Sequence, residues 1–361
     1  YRGFGARLCE PVYNALDPQT HHPAPSDPKF TADLAFLGNR LPDREARVEE
    51  FFLRPAATLP DRKFLIGGNG WETKDMPENV RHLGHVYTHE HNAFNCTPLA
   101  VLNAVGPRDG GVRRVGRDIA YGPDPRQTLD VYAPVGEGPW PVVVFFYGGS
   151  WSSGSKDVYG WAAQAIAARG FVVVLPDYRL VPQVVFPAFI EDAAAATAKA
   201  GEIASTYRGD PARLGVCGHS AGAHLALMIA LDRRYMEAVQ QPRLIRAAAG
   251  VSGPYDFLPF DVAASQNAFG RAPDPTLTQP VTFVRADAPP IWLGHGTADT
   301  VVHDEDTVIL DQRMRAVGGR SEAKLYPGLD HADLIATFSP LFRKKATVLA
   351  DVTEFFHRQL G

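Results

Sequence analysis

The sequence predicts an α/β protein: a mostly parallel central sheet with intervening helices, preceded by a smaller, partial α/β appendage. Three observations carry this. Continuous apolar runs at Pro141–Tyr147 (PVVVFFY) and Phe171–Leu175 (FVVVL) read as strands buried on both faces. Helical stretches alternate with strands, which implies right-handed crossovers within one sheet. The Gly-rich, basic stretch Gly106–Arg114 (GPRDGGVRR) punctuates the chain between two patterned regions, 1–105 and 112–361.

In the first region, Asp33–Gly38 reads as a short buried strand and Pro42–Leu53 as a helix with Pro at its start. Arg62–Gly67 and Val80–Val86 read as strands and Ala93–Val105 as a helix, together a piece of a parallel open sheet. In the second, Val112–Tyr121 and Thr128–Ala133 read as antiparallel edge strands, ahead of the buried strand at 141–147. Helix Val158–Arg169 ends at Gly170, strand 171–175 follows, and Pro187–Ala204 is an Ala-rich helix. Strand Arg213–Cys217 runs into helix Ser220–Leu231. Strands Arg246–Val251 and Pro290–Gly294, helix Asp304–Val317, strand Ala323–Tyr326 and helix Ala346–Gln359 close the chain. The Pro- and Asp-rich stretch 254–289 reads as a small cap.

The 361 residues are 45% hydrophobic and 21% charged, which excludes a disordered or collagen-like chain. Lys and Arg total 36 against 40 Asp and Glu, a net charge of −4, so no uniform basic field attracts nucleic acid or anionic lipid. No apolar run approaches the ~20 residues of a membrane span. Cys9, Cys96 and Cys217 are too scattered for a disulfide framework and read as reduced thiols in a cytoplasmic protein. A removed leader stays compatible with a chain that starts at Tyr1 rather than Met.

The chemistry concentrates in the second region. Gly218-His219-Ser220-Ala221-Gly222 lies between a strand and a helix, the context a nucleophile elbow requires: small neighbours permit a sharp turn that holds the serine hydroxyl out. An acyl-transfer serine needs preorganised donors for the developing oxyanion. Tyr147-Gly148-Gly149-Ser150-Trp151 follows a buried strand and offers the N–H groups of Gly149 and Ser150, joined by that of Ala221. An acid and a base should follow in the order Ser…Asp…His. Asp299 ends the strand-turn segment IWLGHGTAD, with Asp304 and Asp306 as rivals in the next helix, where they would be solvated. His331, in the loop GLDHA after the last strand, is the expected base. His295 and His303 come too early, and His219 and His224 read as packing around the serine. Trp151, Tyr255, Phe257 and Phe260 fall on loops at the carboxyl ends of strands, where such sheets bind ligands.

On YGGSW, PDYRL with FPAFIED, GHSAG, HGTAD and GLDHA, residues 112–361 resemble α/β-hydrolase carboxylesterases of the hormone-sensitive-lipase and bacterial feruloyl-esterase-like groups. The resemblance implies a cofactor-free ester hydrolase with a Ser-His-Asp triad (Ser220, His331, Asp299), a covalent acyl-enzyme and a small-molecule ester as partner. Two positions depart from the family's H-G-G-G loop: Tyr147 replaces its His and Ser150 its third Gly. Activity on bulky tertiary-alcohol esters therefore does not carry over. Asp177 and Arg179 are expected to brace loops near the oxyanion turn.

LAFLGNRLPDREARVEEFF, FLIGGNGW, NVRHLGHV and HNAFN resemble part of a bacterial spore-maturation-type glycosyltransferase with two Rossmann-like halves, which implies that the appendage is a partial Rossmann-like α/β unit. The portion completing that family's sugar-nucleotide site is replaced by the hydrolase region, so no transferase activity is expected. The fragment would serve as an appendage, a lid or a homodimer surface. His82, His85, His89, His91 and Glu90 match no metal-ligand spacing, and no metal is expected. The same catalytic set would serve an arylformamide or amide hydrolase. A different class of function, a nucleotide-sugar-binding module, would rest on the first region.

Overall fold

The computed structural model describes residues 32–37, 42–67, 71, 74–82 and 108–361. The expected helix at 93–105, the cluster members His85, His89, Glu90 and His91, and Cys9 and Cys96 lie outside them. The chain divides into two compact units, Tyr1–Pro107 and Arg108–Gly361.

In the first unit, strands β1 (Leu34–Leu37), β2 (Phe64–Gly67) and β3 (Val80–His82) form a parallel sheet in that order. The helix expected over 42–53 is longer and interrupted. It runs as α1 (Pro42–Val48), a π-helical turn Glu49–Leu53, then α2 (Arg54–Thr58), with Pro55 tolerated near the start of α2. This places Phe52 and Leu53 in an apolar cluster with Val48, Ala56, Phe64, Ile66, Trp71 and Val80.

The second unit is built on eight strands: β4 (Val112–Ala120), β5 (Thr128–Pro134), β6 (Trp140–Phe146), β7 (Val172–Pro176), β8 (Gly209–His219), β9 (Ile245–Val251), β10 (Ile291–Gly296) and β11 (Ser321–Tyr326). Their order is β11-β10-β9-β8-β6-β7-β5-β4. All pairings from β7 to β11 are parallel, and β4 and β5 are antiparallel additions. Of these two additions only β4 is an edge. β5, expected at an edge, lies inside the sheet between β4 and β7, with its central five residues buried. Helices α3 (Lys156–Ala167), α4 (Ala188–Ile203), α5 (Ala221–Leu231), α6 (Arg233–Ala238), α7 (Ala263–Phe269), α8 (Glu305–Ala316), α9 (His331–Ala336) and α10 (Val348–Leu360) connect and cover the strands.

Two placements matter for the site. Every residue of α5 is buried, as its sequence, apolar except for His224, requires. From β6 the chain passes to β7 on one side and then to β8 on the other, so a crevice opens at the carboxyl ends of β6 and β8. Cys217, on β8 just before this crevice, is fully buried and unpaired, and burial pushes its thiol pKa up.

Candidate active site

Ser220 sits between β8 and α5 with φ 55° and ψ −125°, a sparsely populated conformation for a non-glycine residue. The flanking glycines make it attainable. A Cβ on Gly218 would lie 2.1 Å from the Gly222 carbonyl oxygen, and one on Gly222 would lie 2.1 Å from that of Phe146. The turn therefore closes against β6, and the Ser220 hydroxyl emerges at the sheet's carboxyl end.

The structure brings the three residues expected around this hydroxyl together. His331 Nε2 lies 2.9 Å from Ser220 Oγ, and His331 Nδ1 lies 2.7 Å from Asp299 Oδ2. His331 is not in a loop as expected: it is the first residue of α9. Asp330 caps that helix, its carboxylate accepting from the N–H groups of Ala332 and Asp333. A short capped helix thus sets the direction of the imidazole.

Asp299 Oδ1 accepts from the N–H groups of Val301 and Val302, and Oδ2 also lies 3.2 Å from His295 Nε2. Burial alone would push this carboxyl up. The hydrogen bonds from His295, His331 and Val302 outweigh it and hold the group well below the usual carboxylate range. An ionised Asp299 can only accept, so His331 Nδ1 carries a proton, and in the neutral ring Nε2 faces Ser220 with a lone pair. Asp306, expected to be solvated, is instead buried, because its carboxylate accepts the Tyr255 N–H; burial raises its pKa.

The turn after β6 carries Gly149 (φ 137°), Ser150 (φ 51°) and Trp151 (φ 56°). Gly149 is required by its backbone, and a Cβ there would also strike the Ser153 carbonyl. Ser150 adopts the left-handed conformation despite its Cβ, so the missing third glycine is accommodated at a cost of about 1 kcal/mol. Tyr147, in the family's His position, is part of the brace beneath the turn. Its hydroxyl donates to Asp177 and receives Arg126, its carbonyl receives the Tyr178 hydroxyl, and Arg126 also reaches the Gly154 carbonyl. Asp177 braces the turn as expected, while Arg179 is committed to Asp192 at 2.6 Å. Arg126 carried no sequence signal, being a lone arginine in a turn. His295 did carry one, standing four residues before Asp299 in HGTAD.

Trp151 Nε1 donates to His224 Nδ1, and the His224 Nε2–H goes to the Thr278 carbonyl; burial pushes this imidazole down to about 4. Phe257 is half-buried and stacks on Trp151 at 5.9 Å, and half-buried Phe260 stacks on Phe269 of α7 at 5.8 Å. Tyr255 does not join this wall. It is fully buried because Asp306 holds its N–H inward, and its ring packs where a Cβ on Gly250 or Gly253 would lie. Among the described residues no cluster of His, Cys, Asp or Glu could hold a metal ion, and no helix is long and apolar enough to cross a membrane.

Two family models match the chain, and the second of them crosses from the first unit into β4 of the second. The BD-FAE family model matches residues 129–314. A second model, glycosyl transferase-like, matches residues 44–119. Isoprenylcysteine alpha-carbonyl methylesterase of Arabidopsis thaliana is 30% identical over 270 residues, 68% of this chain and 63% of that protein. The chain therefore spans less than two thirds of that relative's length. Kynurenine formamidase of Danio rerio is 33% identical over 162 residues, 45% of this chain and 53% of that protein. The crystal structure of EstE1, a thermostable carboxylesterase from a metagenomic library, superposes with a TM-score of 0.61 at 21% identity, covering 73% of this chain and 93% of that one. The fold is that of the α/β-hydrolases.

Proposed function

The chain belongs to the BD-FAE family, and on that premise we propose that it is a serine carboxylesterase acting on small or short-chain acyl esters. The observation that carries the reading is the path from Ser220 Oγ to His331 Nε2, 2.9 Å, and from His331 Nδ1 to Asp299, 2.7 Å. Ser220 Oγ attacks the acyl carbon while its proton passes to His331 Nε2. Charge developing on the carbonyl oxygen is met by the N–H groups of Gly149, Ser150 and Ala221. The intermediate collapses, His331 returns the proton to the leaving alcohol oxygen, and the acyl group remains on Ser220. Water, deprotonated by His331, then releases the carboxylic acid. Asp299 holds the imidazole tautomer and stabilises the imidazolium in both halves. Trp151 and Phe257 would flank the substrate.

The test is covalent. An organophosphate should label Ser220 and no other residue, and turnover of p-nitrophenyl acetate should vanish in a folded Ser220→Ala variant. Label mapping elsewhere, or retained turnover, defeats the reading. A second reading, hydrolysis of an aryl formamide, draws on the similarity to kynurenine formamidase. The same groups suffice, since His331 would protonate the departing amine. Rates on an aryl acetate and an aryl formamide from one preparation separate the two.

A further inference from the structure

His219, beside the nucleophile, has hydrogen-bond partners on both sides of the site, and the proton path uses neither. Its Nε2 lies 3.2 Å from the main-chain oxygen of His331, and its Nδ1 lies 3.3 Å from the Tyr159 hydroxyl. A carbonyl oxygen only accepts, so Nε2 carries the ring proton. Nδ1 is then a lone pair, and the Tyr159 hydroxyl donates to it. The Tyr159 oxygen is left to accept, and the Gly148 N–H of the oxyanion turn acts on it. The turn also rests directly on the imidazole: a Cβ on Gly148 would lie 3.0 Å from His219 Nδ1 and 2.9 Å from Ser220 Cβ.

Both side chains are buried, each 3% exposed. Burial, with His331 adding to it, pushes the His219 pKa down to about 3, so the ring stays neutral. That neutrality suits its place. The ring centroids of His219 and His331 are 5.0 Å apart, and a second cation there would oppose the imidazolium formed during turnover.

We propose that His219 and Tyr159 are positioning residues that tie the start of the His331 helix to the oxyanion turn, keeping base and turn in fixed relation behind the nucleophile. The proposal rests on the reading of Ser220 and His331 as nucleophile and base. Its test is p-nitrophenyl acetate kinetics on the full chain with Tyr159→Phe, His219→Leu and His219→Gln, and with Ser220→Ala as the control. Misplacement behind a reacting group lowers kcat, so Tyr159→Phe and His219→Leu should lose about 10- to 100-fold in kcat with KM changed less than about two-fold. The Gln amide can donate to the His331 carbonyl and accept from Tyr159, so His219→Gln should recover part of the loss. If His219→Leu does not fold, Tyr159→Phe, which removes one oxygen atom, decides alone. Wild-type kcat in Tyr159→Phe, in a preparation whose Ser220→Ala variant is inactive, overturns the proposal. So does a His219→Leu loss that glutamine leaves untouched. An active Ser220→Ala variant instead defeats the underlying reading of the site.

Discussion

The two units bury different kinds of residue. Among the described residues of the first, the buried side chains are all apolar, and the polar side chain of Asn79 serves the backbone: Nδ2 reaches the main-chain oxygens of Ala56, Leu59 and Arg62. The second unit buries His219, His224, His295, Asp299 and Asp306, and these groups hydrogen-bond to one another, to His331 or to loop carbonyls and amides. Burying such groups costs free energy unless every one is paired. A core that accepts this cost is shaped by something besides stability. We read this difference as scaffold work in the first unit's core and chemistry in the second's.

Perturbing both units tests that assignment. The largest effect is expected at Ser220→Ala, with kcat lower by about 10⁶-fold and the thermal midpoint little changed; turnover above that level breaks the comparison at its centre. Asp299→Asn should lower kcat by about 10⁴-fold, because the amide no longer imposes the right imidazole tautomer. It also has a pH signature. The folded carboxyl is held below its unfolded value of ~3.9, so its stabilisation is present above that pH and is lost as pH falls further. Acid titration of Tm should therefore be shallower for the Asp299→Asn variant than for wild type below about pH 4, and parallel curves would contradict the ionised, multiply bonded carboxylate. Phe257→Ala should raise KM for a longer acyl ester by about five-fold, the loss of ~1 kcal/mol of apolar contact, with kcat for acetate unchanged. The smallest effect on turnover is expected from the other unit. Phe52→Ala empties an aromatic contact with Phe64 and should cost that unit about 3–5 kcal/mol by hydrogen exchange at β2, while kcat moves less than about two-fold. A collapse of kcat there would show that the first unit's core also serves the chemistry.

Much of the site was legible in the sequence because its residues fall in short motifs. Gly218 answers a contact within its own turn, while Gly222 keeps clear of the Phe146 carbonyl on β6. The carboxyl ends of successive strands give the order Ser220, Asp299, His331, and the structure brings these three within hydrogen-bond reach. What escaped depended on distant neighbours. Asp306 looks like a solvated helix residue until the Tyr255 N–H arrives from 51 positions away to bury it. The same contact buries Tyr255, away from the half-buried Phe257 and Phe260. α9 is six residues long, too short to show a period, though Asp330 ahead of it is a recognisable cap. β5 was misplaced at an edge because strand order is a property of the whole sheet. The π-helical turn at Glu49–Leu53 left no mark, since its residues suit an ordinary helix equally well.

The thiol of Cys217, set into the middle of the sheet three residues before Ser220, gives the molecule an internal clock. Alkylating reagents need a thiolate in contact with water, and neither condition is met while β8 stays paired on both sides. Modification of the peptide that carries it, followed by mass, therefore counts openings of the strand that leads into Ser220. An acyl group parked on Ser220 that tightened this region would slow the count.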